Sequence, residues 1–127
     1  MIEDYLEGII GELSVSPVVS SFIVVKRKVG YEEGYIRIKC SLANGDLLEF
    51  AEYVEVRKAE VYTGTYSFHW QTSGKRLIKR WDNVRHHKEL GAFPYHLHLP
   101  DKQAVDSKPM DLKKVLAEIE KALGISE

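Results

Sequence analysis

The chain has 127 residues, a net charge of −1, 44% hydrophobic and 29% charged residues, and one cysteine. That is the composition of an ordinary globular protein, long enough for one core and unlike a disordered chain. Lone Cys40 excludes an intrachain disulfide and any zinc site built on several cysteines. No apolar run approaches the length of a membrane helix, and the acidic, amphipathic start does not read as a signal peptide. A single α+β domain over residues 1–127, cytoplasmic and without membrane contact, is the expectation.

Ile2, Tyr5, Leu6, Ile9, Ile10 and Leu13 recur at helical spacing, and Pro17 bounds that helix. The β-branched run 18–29 predicts a first strand, stopped by Gly30. Ile36, Ile38, Cys40 and Leu42 alternate with Tyr35, Arg37, Lys39 and Ser41, the period of a half-buried strand. Asn44-Gly45 predicts a tight type I′ hairpin, whose central residues both need positive φ. Beyond it, Leu48, Phe50, Val54 and Val56 share a face with Glu52. Over 60–72, Tyr62, Tyr66, Phe68 and Trp70 alternate with polar residues, and Ser73-Gly74 turns the chain into a last strand over 76–83.

Short connections make these a meander, and the expectation is a curved antiparallel sheet of five to six strands. Residues 84–109 read as irregular, with Pro94, Pro100 and Pro109. Asp111 then caps a second helix with a stripe of Leu112, Val115, Leu116, Ile119 and Leu123, stopped by Gly124. Two terminal helices would cover one face of the sheet and leave the other for water or a ligand.

Charge is unevenly spread. Residues 75–88 and 26–39 are basic, whereas Glu3, Asp4, Glu7 and Glu12 begin the chain. Anionic and cationic partners could therefore meet different regions, although solvated strand faces explain the pattern equally.

His69, His86, His87, His96 and His98 lie within thirty residues. His96 and His98, two apart, point to one face if extended. Three readings compete. A histidine pair can act as base and acid in phosphodiester cleavage, with Arg80 or Arg37 balancing the phosphate charge. The same histidines with a carboxylate could bind a divalent metal. They could also hold an irregular segment in shape through hydrogen bonds. Glu52 interrupts an apolar face, so it needs a partner such as Arg80 or a histidine, or a bulge that turns it outward. Arg80 and Asp82 project together, with Trp81 opposite. Trp70 and Trp81 read first as core residues. Tyr35, Tyr62, Tyr66 and Tyr95 are candidates for base stacking as well as ordinary strand residues.

The ordered segments GYIRIKCSLANGDLLEFAEYVEV, TYSFHWQ, RLIKRWDNVRHHKEL, FPYHLH and PMDLKKVLAEIEKAL, from about residue 20 to the C-terminus, resemble the TumE-like family of small prokaryotic toxins. Tyr95 stands where that family often has a first histidine. The resemblance implies the toxin half of a type II toxin–antitoxin pair, with a helix-turn-helix antitoxin as partner and RNA as the expected target. It assigns no catalytic roles; these come from side-chain chemistry. The favoured expectation is a ribonuclease needing no metal or other cofactor. His96 and His98 act as acid and base, Arg80 clamps phosphate, and His69 and Glu52 support. Arg37, Tyr66, Trp81, Asp82, His86 and His87 contact substrate, and a homodimer is possible on this reading. The alternatives are a metal-dependent hydrolase built on the histidine cluster and a non-catalytic protein-binding module.

Overall fold

A computed structural model describes residues 1–83, 94–101 and 103–125. Helix α1 (Ile2–Val15) is followed by β1 (Val19–Val29), β2 (Glu33–Leu42), β3 (Leu47–Arg57), β4 (Glu60–Gln71), β5 (Leu77–Asp82), β6 (His96–His98) and β7 (Ala104–Asp106), then α2 (Leu112–Leu123). The strands form one unclosed, curved antiparallel sheet in the order β1-β2-β3-β4-β5-β6-β7, a continuous meander. The expected α+β class holds. The strand count is seven, above the expected five to six. The additional pieces, β6 and β7, lie in the segment read as irregular. Three residues are too few for a period of two to show, and only Leu97 and Val105 carry apolar side chains longer than a methyl.

Both helices cover the same face. Ile2, Leu6, Ile9 and Leu13 of α1 are buried, as are Leu112, Val115, Leu116 and Ile119 of α2. They join Ile36, Ile38, Cys40, Leu48, Phe50, Phe68, Trp70 and Trp81 in one core, with Phe50 and Phe68 stacked at 5.3 Å. At Gly34 the lack of a side chain makes room for α1: a Cβ there would sit 2.5 Å from Ile2 Cγ2. Pro17 pushes Ser16 out of the helical region, to φ −69° and ψ 131°, ending α1. Asp111 caps α2 by accepting from the Lys114 backbone N–H at 2.8 Å, and Gly124 closes it in the left-handed conformation at φ 68°.

Two local readings are corrected. The Asn44-Gly45 connection is a longer loop. Only Gly45 has positive φ, and the Asn44 side chain accepts from the Asp46 backbone N–H at 3.0 Å, bending the chain itself. The two-residue turn with positive φ at both centres is instead Lys58-Ala59, at 50° and 62°. Tyr62 does not share a face with Tyr66, Phe68 and Trp70. A register shift places Tyr53 opposite Thr65 and Val54 opposite Thr63. The bulge at Gly64 thus turns Tyr62 to the other face, where Arg57 lies 4.1 Å from its ring centroid.

Candidate functional site

Asp82 ends β5, where the pairing with β6 sets Arg80 opposite His98, Trp81 opposite Leu97 and Asp82 opposite His96. Alternation therefore sends Arg80, Asp82, His96 and His98 to one face and Trp81 and Leu97 to the core. It is the face opposite the two helices.

Asp82 joins the cluster. His96 Nε2 lies 2.9 Å from Oδ1, His98 Nε2 lies 3.0 Å from Oδ2, and Arg80 Nε lies 3.3 Å from Oδ2. The imidazoles meet edge to face at 5.1 Å. A carboxylate only accepts, so His98 presents Nε2–H to Asp82. His96 Nδ1 lies 2.7 Å from the Pro94 carbonyl oxygen, so that nitrogen donates and the ring orientation is fixed. Solvent access divides the histidines: the whole His96 residue is 1% exposed, whereas the His98 side chain is 21% exposed. The Arg80 side chain is 42% exposed, and that of Asp82 is sealed. Burial holds the His98 pKa below its usual value. Asp82 opposes that shift, and His96 and Arg80 reinforce it.

The other sequence candidates divide by face. His69 lies opposite Arg80 on β4 and is bonded to Gln71 Oε1 at 3.1 Å. Arg37 shares the open face, pairing with Glu49 at 2.9 Å and donating to the Tyr35 hydroxyl at 3.1 Å. Glu52, Tyr66 and Trp81 are on the helix-covered face. The partner of Glu52 is neither a histidine nor Arg80, nor does the neighbouring bulge expose it. The Tyr5 hydroxyl of α1 donates to Glu52 Oε1 at 2.5 Å. Burial raises the Glu52 pKa; the Tyr5 bond offsets this in part, and Asp111 and Glu12 add to it. The Tyr66 hydroxyl accepts from the Met110 backbone N–H at 3.1 Å, tying the approach to α2 onto the sheet. Trp81 packs opposite Phe68. His86 and His87 lie outside the described residues.

Two contributors escaped the sequence reading. Pro94 supplies the carbonyl that fixes His96. Asn83 accepts from the Tyr66 backbone N–H at 2.8 Å and donates to the Gly64 carbonyl at 3.0 Å, anchoring the end of β5 at the bulge. The central place of Asp82 was detectable only as its spacing of two from Arg80.

An open antiparallel meander with helices on one face and an Asp-His-His-Arg cluster on the other defines an α+β protein with a polar site on the face opposite its helices. The chain matches the family model described as Toxin TumE over residues 9–123, and it belongs to that toxin family. It is thereby a toxin component of a toxin–antitoxin system, with an antitoxin as its partner. No curated protein and no solved structure matches it. No helix among the described residues is long and apolar enough to cross a membrane.

Proposed function

We propose that this toxin cleaves RNA by acid–base chemistry at His98, with Arg80 clamping phosphate and Asp82 orienting both. The reading rests on one observation: a sealed carboxylate holds two imidazoles and a guanidinium on the sheet face opposite the helices. The His98 imidazole takes the proton of a ribose 2′-hydroxyl as it attacks the adjacent phosphate, and the departing 5′-oxygen takes a proton from water. Arg80 offsets the charge that builds on the phosphate. His96, expected from sequence to share the acid–base work, is too buried to meet substrate and acts as a positioning residue for Asp82. His69 borders Arg80 and supports it. The antitoxin on this reading is a helix-turn-helix protein that masks the open face. Expression without antitoxin should arrest growth and degrade cellular RNA, and folded His98→Ala should lose both effects. Undiminished toxicity in that variant overturns the assignment.

One observation favours a second reading, a metal-dependent hydrolase. Asp82, His96 and His98 each offer a ligand atom, all within 4.8 Å of one another. The Pro94 carbonyl holds His96 Nδ1 and leaves Nε2 aimed at the group, the arrangement that orients histidine ligands. Metal analysis of the purified protein and cleavage assays with and without chelator separate the two. Stoichiometric metal and chelator-sensitive cleavage select the second; metal-free protein that keeps cleaving selects the first.

A further inference from the structure

The site sits near one side of a broad surface. On the open face, Lys26 pairs with Arg37, Arg37 with Ala51, Ala51 with Ser67, and Ser67 with Asp82. These five residues form one transverse row from the outer strand to the Asp-His cluster. Adjacent strands are about 4.8 Å apart, so Arg37 lies about 14 Å from Asp82 along it. Ala51 and Ser67 put small side chains in the middle of the row.

The far end of that row is basic and aromatic. A hollow of about 640 Å³ is lined by Lys26, Lys28, Glu33, Tyr35 and Tyr53 among others. Lys26 Nζ lies 5.9 Å from the Tyr35 ring centroid. The tyrosines are pinned at their hydroxyls: Arg37 donates to Tyr35, and Tyr53 donates to Glu33 at 2.7 Å. Tyr53 also lies against Gly64, where an added Cβ would be 3.2 Å from the ring. It therefore rests on the backbone and turns its outer side away from the sheet. Over β1 to β3, Lys26, Lys28, Arg37, Lys39 and Arg57 outnumber the carboxylates Glu33, Glu49 and Glu55 on this face.

Anchored aromatic rings among cations, joined by a row of small side chains to the Arg80 guanidinium and an imidazole, match a single nucleic-acid strand. We infer that the open face of β1 to β4 is a track for single-stranded RNA, with bases on Tyr35 and Tyr53 and phosphates on Lys26, Lys28 and Arg37. The inference rests on the RNA-cleaving reading of the His98 site and adds a substrate form and a length. At the stacked rise of about 3.4 Å per nucleotide, the distance from Arg37 to Asp82 accommodates about four nucleotides. A duplex cannot offer both tyrosines an unstacked base.

The test uses the full chain carrying His98→Ala, to stop turnover, and a labelled single-stranded hexaribonucleotide followed by fluorescence anisotropy. Tyr35→Ala/Tyr53→Ala should weaken binding at least tenfold. Lys26→Gln/Lys28→Gln should weaken it and flatten its salt dependence, and the matching duplex should bind more weakly than the single strand. Unchanged hexamer affinity in folded variants, while His98-intact protein still cleaves RNA, overturns the track and leaves the site reading in place. Protein with His98 intact that neither binds nor cleaves RNA overturns both. Loss of antitoxin binding in the same variants, with RNA binding unaffected, would make this face a protein contact instead.

Discussion

Among the described residues two carboxylates are buried, on opposite faces of one sheet, and their surroundings differ in kind. Glu52, 3% exposed, is answered by a neutral phenol in a helix-covered core, and its pKa rises. Asp82, fully buried, is surrounded by two imidazoles and a guanidinium on the face opposite the helices. Burial alone therefore does not mark a functional carboxylate. The partners decide: a hydroxyl satisfies a lone pair and seals a core, whereas titratable and cationic groups beside solvent make a site that can move protons and hold phosphate.

The largest effects belong to Asp82. Asp82→Ala leaves His96 buried beside a missing partner, so stability should fall by about 3 kcal/mol in chemical denaturation. Asp82→Asn keeps the shape but removes the charge and leaves one acceptor oxygen for two imidazoles, and RNA cleavage should fall at least about 100-fold, the usual share of general acid–base catalysis. If Asp82→Asn remains fully toxic while Glu52→Gln is not, the assignment of the two faces is reversed.

The pH profile sharpens the same contrast. Burial, with His96 and Arg80, keeps His98 below the ordinary histidine value of 6.5 against the opposing pull of Asp82. A base must be neutral to accept a proton. Activity should thus rise with pH along a limb centred below pH 6.5, and Asp82→Asn should move that limb further towards acid. An acid limb centred above pH 7 would show that His98 is not the titrating base.

For Glu52 the sign runs the other way. Its folded pKa is raised, so between the unfolded and folded values the native state binds more protons than the unfolded chain, and stability falls as pH rises. Glu52→Gln removes this slope and still accepts from Tyr5. It should be more stable than the parent at pH 7 and keep its toxicity. Urea unfolding at pH 4 and pH 7 measures the gain as the widening gap between the two proteins. A Gln variant less stable than the parent at pH 7 would show that the ionised carboxylate is favourable there.

The faces also differ in how far the sequence disclosed them. Alternation over Ile36 to Leu42 and Leu48 to Val56 marks the covered face because apolar burial is periodic. The same alternation places Arg80 with Asp82 and His96 with His98. It does not say that β6 pairs with β5, since a three-residue strand has no period and its partner is set by tertiary packing. Glu52 appeared as an anomaly in the apolar face, but its donor lies 47 residues away on α1, a distance that only packing bridges. The bulge that turns Tyr62 outward has one visible cue, Gly64. The turn at Lys58-Ala59 has none, because neither residue favours the conformation it adopts.

That turn offers the smallest effect and a control for the rest. It joins β3 to β4, the strands that carry Glu52 on one face and Ser67 and His69 on the other. Ala59 holds φ at 62°, where a Cβ crowds the following carbonyl. Ala59→Gly relieves this but adds backbone freedom to the unfolded chain, which offsets part of the gain. A net stabilisation of about 0.5 kcal/mol should follow, the remainder after a relief of about 1–2 kcal/mol and an entropic cost of about 0.4–1 kcal/mol. Because the turn belongs to neither face, the variant should match the parent in RNA cleavage and in its pH profile. Thermal unfolding and a cleavage assay on one preparation check both. If activity moves with this stability change, the losses at Asp82 and His98 must be corrected for stability before they are assigned to chemistry.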